Sequence, residues 1–461
     1  MTQYPFPAWV KDAVFYQIFI ERFANGDPTN DPKSIVPWET KPGVDSFFGG
    51  DLQGIRDHIP YLKDLGINAV YLTPVFKAAS NHKYDTIDYF EIDPSFGSNE
   101  LFIQLVHEFH AAGIRVVLDG VFNHCGDQNP KFTDAVEHGS SSPYYDWFVF
   151  QAYEASKMFQ TCGGANFLPK LNTSNPEVQN YILEVATYWI EKAGIDGWRL
   201  DVPWKVDPGL WPCFYKHVKA LNNEIYVVHE TWRDSSFWLN RGIGDAVMNY
   251  QLRDYIFDYA LKDAMDAEDF NYFVQRLLDD FRGAALYQLN LLGSHDTARL
   301  LTIAAGDIQR VLIAYTLLFT LPGAPMVYYG DENGMVGEND PDCRRGMIWT
   351  EKDWNLEIRQ HLSKLINIRK SHSALKSGDY RSIMTWNGVL AFSRSTEEDQ
   401  AIIVTNPREA VEEILIPTDK PDRMWQDLLG EGRYQAKEGF IHLPQLPARS
   451  AFVLIPIKEK K

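Results

Sequence analysis

Short apolar runs alternate along the chain with segments whose apolar residues recur three or four positions apart. The first run, Val14-Phe15-Tyr16-Gln17-Ile18-Phe19, has the length and the β-branched and aromatic content of a buried strand. From Asp51 to Leu65 the positions Leu52, Ile55, Ile59, Leu62 and Leu65 predict one helix face, stopped by Gly66. Ala69-Val70-Tyr71-Leu72-Thr73-Pro74 is the next strand. Ser98 is placed to cap a helix through Ala112 that ends at Gly113, and Arg115-Val116-Val117-Leu118-Asp119 follows as a third strand. Strands that alternate with helices predict a parallel sheet.

The rhythm breaks between Gly120 and Thr173, where the chain is polar and irregular, with aromatics at Tyr144, Tyr145, Trp147 and Phe148. That is too long for a simple connection, so it is either a functional excursion or a small subdomain. Ser174-Asn175-Pro176-Glu177 has the spacing of a capping box, opening a helix with Val178, Tyr181, Ile182, Val185 and Trp189 on one face. Further on come a helix over Pro208–Leu221, strands Ile225–His229 and Ala246–Tyr250, and helices to Arg282. Strand Leu286–Leu292, helix Ile308–Leu321 and strand Pro325–Tyr329 complete the run. Strands near residues 14, 69, 115, 197, 225, 246, 288 and 326, with one long insertion after the third, predict a (β/α)8 TIM barrel.

After a helix at Trp354–Lys370 the pattern changes to Arg381–Thr385, Val389–Ser395, Ala401–Asn406, Glu412–Ile416 and Ala451–Ile457, with turns at Asn387-Gly388 and Gly430-Glu431-Gly432. The expected organisation is a barrel over residues 1–120 and 174–375, a loop subdomain over 121–173, and an antiparallel β-sandwich domain over 376–461.

Composition narrows the function. A net charge of −18, with no Lys/Arg run longer than two before the Lys458–Lys461 tail, argues against nucleic acid and anionic membrane surfaces as partners. No run of apolar residues is long enough to span a membrane, and Met1–Pro7 lacks the pattern of a signal peptide. Cys125, Cys162, Cys213 and Cys343 form no CxxC pair, which suits free thiols and a cytoplasmic address.

Gly197-Trp198-Arg199-Leu200-Asp201 puts a cation and an anion two residues apart, hence on one side of a strand. Alone, such a pair reads as a structural salt bridge with a lowered carboxylate pKa. Its company changes that reading. The C-terminal strand ends, where barrel enzymes place their chemistry, carry Asp119 with Asn123 and His124, Arg199 with Asp201, Glu230, and His295 with Asp296. A core does not tolerate such charge without partners. Paired carboxylates point to glycoside hydrolysis, one attacking the anomeric carbon while the other protonates the leaving oxygen. On neighbours alone, Asp201 beside Arg199 suits the nucleophile. Glu230, after Tyr226-Val227-Val228 and before Thr231-Trp232, suits the general acid, a drier setting raising its pKa, and Asp296 a stabilising role.

The segments Asp119-Gly120-Val121-Phe122-Asn123-His124, Gly197 to Asp201, Glu230-Thr231-Trp232 and Leu292 to Thr297 stand in the order of the α-amylase superfamily, glycoside hydrolase family 13, which the chain resembles from Trp9 to its end. It is most similar to the cyclomaltodextrinase, neopullulanase and maltogenic amylase group through Asn81-His82-Lys83-Tyr84-Asp85-Thr86, Leu168-Pro169-Lys170-Leu171-Asn172-Thr173, and Tyr328 to Glu332 continuing to Asn339–Arg345. The resemblance implies a retaining hydrolase of α-1,4-glucosidic bonds in maltooligosaccharides or cyclic maltodextrins. Asp201 would be its nucleophile, Glu230 its acid/base and Asp296 its transition-state stabiliser. It also implies sugar contacts from Tyr84, Asp119, His124, Arg199 and His295, and a platform at Trp232 on the leaving-group side. Alternatives are an α-glucosidase or 4-α-glucanotransferase of the same superfamily, or a catalytically silent carbohydrate-binding relative.

Two departures matter. The group carries an N-terminal β-domain that helps build its dimer, whereas this chain begins almost at the first strand, so a monomer or a homodimer formed by another route is expected. After Asp201 the group reads Val-Ala-Asn-Glu, and this chain reads Val202-Pro203-Trp204-Lys205. Asn25-Gly26-Asp27-Pro28-Thr29-Asn30-Asp31 is dense in the oxygen donors Ca²⁺ prefers, though an Asx-rich turn reads the same way. The resemblance implies a structural calcium held by Asn25, Asp27, Asn30, Asp31, the Gly49 carbonyl and Asp51.

Overall fold

The computed structural model describes residues 4–150, 159–233, 235–239 and 241–457. The basic tail Lys458–Lys461, the first three residues and part of the expected 121–173 subdomain lie outside the described residues.

The eight predicted barrel strands are the eight observed: β1 (Phe15–Ile18), β2 (Ala69–Leu72), β3 (Arg115–Gly120), β4 (Gly197–Leu200), β5 (Tyr226–Thr231), β6 (Ala246–Asn249), β7 (Leu289–Leu291) and β8 (Ala324–Tyr328). They close into a barrel in sequence order, β8 returning to β1. Parallel pairing sets Phe15 beside Ala69, Ala69 beside Arg115, and Val117 beside Gly197. By internal contacts the chain divides into two compact units. One comprises residues 1–8, 15–248 and 344–347, the other 9–14, 249–343 and 348–461.

In the first unit every residue of β1, β2 and β4 is buried, as expected of strands covered on both faces. The helix expected over Asp51–Leu65 is instead two, Leu52–Asp57 and Ile59–Leu65. Pro60 has no amide to give the Arg56 carbonyl and its ring crowds that carbonyl, so the ladder breaks at His58. Gly66 ends the second helix at φ 92°, a left-handed cap that glycine adopts without strain. Ser98 caps Asn99–Ala111 as predicted, its side chain accepting from the Leu101 amide. The capping box at Ser174–Glu177 is not formed. Asn175 caps Pro176–Ala193 through the Glu177 amide, Ser174 Oγ donates to Asn172, and Glu177 accepts from Trp147 Nε1 at 3.0 Å. Asn's shorter reach to the amide two residues on wins here. The hairpin strands Phe76–Ala78 and Thr86–Ile92 and the helix Ser235–Leu239 had no sequence forecast. The excursion after β3 contains a helix, Pro130–His138, and returns by single bridges such as His124 to Lys170 and Phe148 to Leu171.

The second unit ends in one continuous antiparallel eight-stranded sheet, in the order 379–386, 389–395, 400–406, 450–456, 424–427, 433–437, 440–443, 414–417. Val389, Ile402 and Leu454 from one end share a buried core with Ile416, Trp425 and Ile441 from the other. Strands Met424–Asp427, Arg433–Lys437 and Phe440–Leu443 escaped the sequence reading because each is only four or five residues long. Asn387 (φ 49°) and Gly388 (φ 83°) form the predicted tight turn.

Candidate active site

The C-terminal ends of β3, β4 and β5 bring four charged groups into contact. Arg199 is the hub. Its Nη1 lies 2.9 Å from Asp119 Oδ1 and 2.8 Å from Asp201 Oδ1, and its Nη2 lies 3.1 Å from Glu230 Oε2. Arg199 and Asp119 are fully buried, and Asp201 and Glu230 nearly so. Parallel register aligns Asp119 with Arg199, and Asp201 continues the strand, its amide bonded to the Gly120 carbonyl at 3.1 Å. Alternation then turns Arg199 and Asp201 to the same side, so one guanidinium serves both.

The other partners of these carboxylates are neutral donors. Asp119 Oδ2 accepts from the hydroxyls of Tyr71 at 2.5 Å and Tyr84 at 2.9 Å. Glu230 Oε2 accepts from the Val202 amide at 2.9 Å, and Oε1 from Trp232 Nε1 at 3.0 Å. Three carboxylates thus share one cation. Burial pushes Asp119 above the usual carboxylate range against the pull of Arg199. Burial raises Asp201 well above it, Arg199 opposing, with Glu230 and Asp119 adding to the rise. Arg199 pulls the Asp201 pKa down as expected, but burial beside two further acids outweighs one guanidinium.

Tyr84 sits in a loop braced from within. Asp85 accepts from the amides of Ala79 and Ser80, and the buried Lys83 pairs with Asp93 at 3.0 Å. His124 is buried after β3, its Nδ1 3.1 Å from the Asn123 amide nitrogen. Burial lowers its pKa to about 4, so it is neutral, and its Nε2 and Asn123 Oδ1 meet no partner among the described residues. Such orphaned buried atoms suit the hydroxyls of a ligand. Trp232 is 38% exposed, placed to offer a face as well as its N–H.

In the second unit, the loop after β7 carries the buried His295 and the partly exposed Asp296, with Nε2 3.3 Å from Oδ2. The Asp296 amide donates to Ser294 Oγ at 3.2 Å, and that hydroxyl pairs with Tyr250 at 2.8 Å. Arg299 bonds Asp331 and the Tyr329 carbonyl, each at 2.7 Å.

The residues expected to hold calcium fit a cation in part. Asn25 Oδ1 and Asn30 Oδ1 are buried without a hydrogen-bond partner, and Gly49 (φ 83°) packs against Asp31 and Asn25 where a Cβ would clash. Asp51 is otherwise engaged, capping Leu52–Asp57 through Gly54 and accepting from the Gly26 and Asp27 amides. Asp27 turns back to Thr29. Among the described residues no group of three or more His, Cys, Asp or Glu is disposed to hold a metal.

Sequence reasoning missed Tyr71 and the Val202 amide. A hydroxyl near the end of a barrel strand was a signal for the first. No side-chain pattern reveals the second.

The family described as alpha amylase, catalytic domain, matches residues 17–398. A cyclomaltodextrinase of Geobacillus thermopakistaniensis is 44% identical over 439 residues, 94% of this chain and 75% of that protein. An intracellular maltogenic amylase of Bacillus subtilis is 41% identical, over 90% of this chain and 72% of its own length. The structure of cyclic α-maltosyl-(1→6)-maltose hydrolase from Arthrobacter globiformis, in complex with that sugar, superposes with a TM-score of 0.90 at 40% identity, covering 99% of this chain and 100% of the other.

Proposed function

This chain belongs to the α-amylase family and is an α-glucan-cleaving hydrolase; from that premise we propose that Asp201 is its nucleophile, Glu230 its acid/base and Asp296 its transition-state stabiliser. The observation that carries the reading is the single guanidinium shared by Asp119, Asp201 and Glu230. Retaining hydrolysis needs two carboxyl groups side by side, and Asp201 and Glu230 meet on that one cation.

In the first step Asp201 attacks the anomeric carbon while Glu230, as the acid, gives a proton to the departing glycosidic oxygen. In the second, Glu230 takes a proton from water as that water displaces the glycosyl–Asp201 bond. Asp296 stabilises the oxocarbenium-like charge between them. Tyr84, His124 and His295 contact the bound sugar. Asp119 with Arg199 orients the cluster, and Trp232 stacks on the leaving-group side.

The substrates are α-1,4-linked maltooligosaccharides and cyclic maltodextrins. The names of the Geobacillus and Arthrobacter relatives support a cyclic substrate. A calcium ion held by Asn25, Asn30, Asp31 and the Gly49 carbonyl, with Asp27 and Asp51 alongside, would supply positive charge that ties the loop after β1. A cytoplasmic location is favoured by the Bacillus relative named intracellular, and no helix among the described residues is long and apolar enough to cross a membrane. Product chromatography on maltoheptaose, β-cyclodextrin and pullulan tests the reading. Short maltooligosaccharides of retained anomeric configuration from the first two are expected. Glucose alone would mark an α-glucosidase, and lengthened chains a glucanotransferase.

A further inference from the structure

We propose that Val202 is a positioning residue for the acid/base: its backbone amide decides which oxygen of Glu230 carries the transferable proton. This rests on the acid/base reading above. Val202 sits at φ 35°, ψ 51°, a left-handed conformation in which a β-branched residue is an outlier. The proline that follows restricts it further. Such a residue persists only where its surroundings over-determine it, and these outliers gather at functional sites.

The surroundings are on view. Pro203 opens the turn Pro203–Lys205 at its first position, which suits its fixed φ. The Pro203 carbonyl accepts from Trp211 Nε1 at 3.0 Å. Trp211 meets His229 edge-on at 5.4 Å, and His229 stacks on Trp238 at 4.8 Å. His229 Nε2 in turn lies 2.9 Å from the Ile243 carbonyl. Pro203, Trp211, His229 and Trp238 are buried, and His229 is the residue before Glu230. Pro203 and its neighbours, where this chain departs from its group, therefore bear on the acid/base itself.

The result is a donor at a fixed place. Glu230 Oε2 accepts from the Val202 amide at 2.9 Å and faces Arg199 Nη2 at 3.1 Å. Oε1 accepts from Trp232 Nε1 at 3.0 Å. The amide hydrogen bond and the guanidinium charge both fall on Oε2 and disfavour a proton there, whereas Oε1 meets one neutral donor and keeps a lone pair for the proton. Oε1 is thus the oxygen that protonates the leaving group. As the glycosidic bond breaks, its electron pair stays on the departing oxygen, which takes the Oε1 proton, and Asp201 supplies the pair for the new bond to the anomeric carbon. Water later adds to that carbon and returns a proton to Oε1, and the Asp201 bond pair goes back to its carboxylate.

Replacing Val202 with its α-hydroxy acid analogue changes the amide N–H to an ester oxygen and keeps the side chain. A donor lost from a carboxylate disfavours the charged form, so the alkaline limb of kcat/KM on maltoheptaose moves up by about one pH unit. Turnover falls about tenfold, part of what general acid catalysis supplies. The first-turnover burst of fluoride from α-maltosyl fluoride, whose leaving group needs no proton, is unaffected. Val202→Gly adopts the same φ and keeps the N–H, so it retains the parent alkaline limb whatever happens to kcat. An ester variant with the parent pH profile, or one equally slowed on both substrates, overturns the proposal. Glu230→Gln separates the two readings. A parent-like fluoride burst with lost maltoheptaose cleavage upholds Glu230 as acid/base, whereas equal loss on both removes that reading and this inference with it.

Discussion

Two clusters of buried charge lie at opposite ends of the barrel strands in the first unit, and they are built to different rules. Before the N-terminal end of β6, Asp245 accepts from Lys219 Nζ, the Val227 amide and the Tyr215 hydroxyl, each at 2.9 Å. Lys219 spends its other donors on the carbonyls of Ile225 and Asn223. One anion meets one cation, and their other contacts come from the backbone and a neutral hydroxyl. Asp196, just before β4, repeats the design, taking the Val116 amide, Arg115 and His110. At the C-terminal ends, Asp119, Asp201 and Glu230 share the one guanidinium of Arg199. Buried charge holds a fold where donors match acceptors. Where acids outnumber cations at the strand ends, the cluster is a candidate for chemistry.

The sharpest way to break this contrast is Asp201→Asn. Hydrolysis of maltoheptaose should fall by at least about 10⁴-fold, as removal of a covalent nucleophile does. The melting temperature should hold or rise, because an excess buried acid has gone. Retained activity would remove the nucleophile; a clear loss of stability would make this cluster structural like the other. Asp245→Asn should do the reverse. It strands Lys219 without its anion at a cost of about 3–5 kcal/mol, read by urea denaturation, while kcat per folded molecule stays at the parent value.

Buried histidines give a smaller, pH-dependent effect. Burial lowers both His124 and His229 to about 4 from an unfolded value of 6.5. A group depressed in the folded state stabilises the fold above its unfolded pKa, and that stability is lost as pH falls through the folded value. Stability should therefore decline between pH 6.5 and about 4, by at most about 3 kcal/mol for each histidine. His229→Gln, which keeps an N–H for Ile243, should flatten that slope in denaturation series across this range. The mildest effect is expected from chelation. EDTA should lower the melting temperature by a few degrees if calcium ties the loop after β1, and an unchanged melting curve would count against the ion.

The strand ends were legible because a barrel puts its chemistry in one place. Once the apolar runs predicted eight strands, Asp119, Arg199, Asp201 and Glu230 were at known addresses. Boundaries were less legible where local signals competed. Pro60 split a helix that its apolar spacing had made continuous, and Asn175 took the cap offered to Ser174. The three strands between residues 424 and 443 are four or five residues long, too short to establish a period, and they form by pairing with one another and with 450–456.

The sequence by itself determined the barrel, the family and the identities of the acids, since these rest on periodicity and on residue types at fixed spacing. It also marked Arg199–Asp201 as a pair and gave the pull of Arg199 its direction, but not the burial that outweighs it. A lowered pKa follows from one arginine beside one acid. Only the tertiary structure brought Asp119 and Glu230 to the same guanidinium and shut out the water, and desolvation with two like charges outweighs a shared cation. The grip on Glu230 was decided there as well, because a backbone amide has no letter in the sequence and Val202 acquires its role from φ, from Pro203 and from the rings packed beyond it.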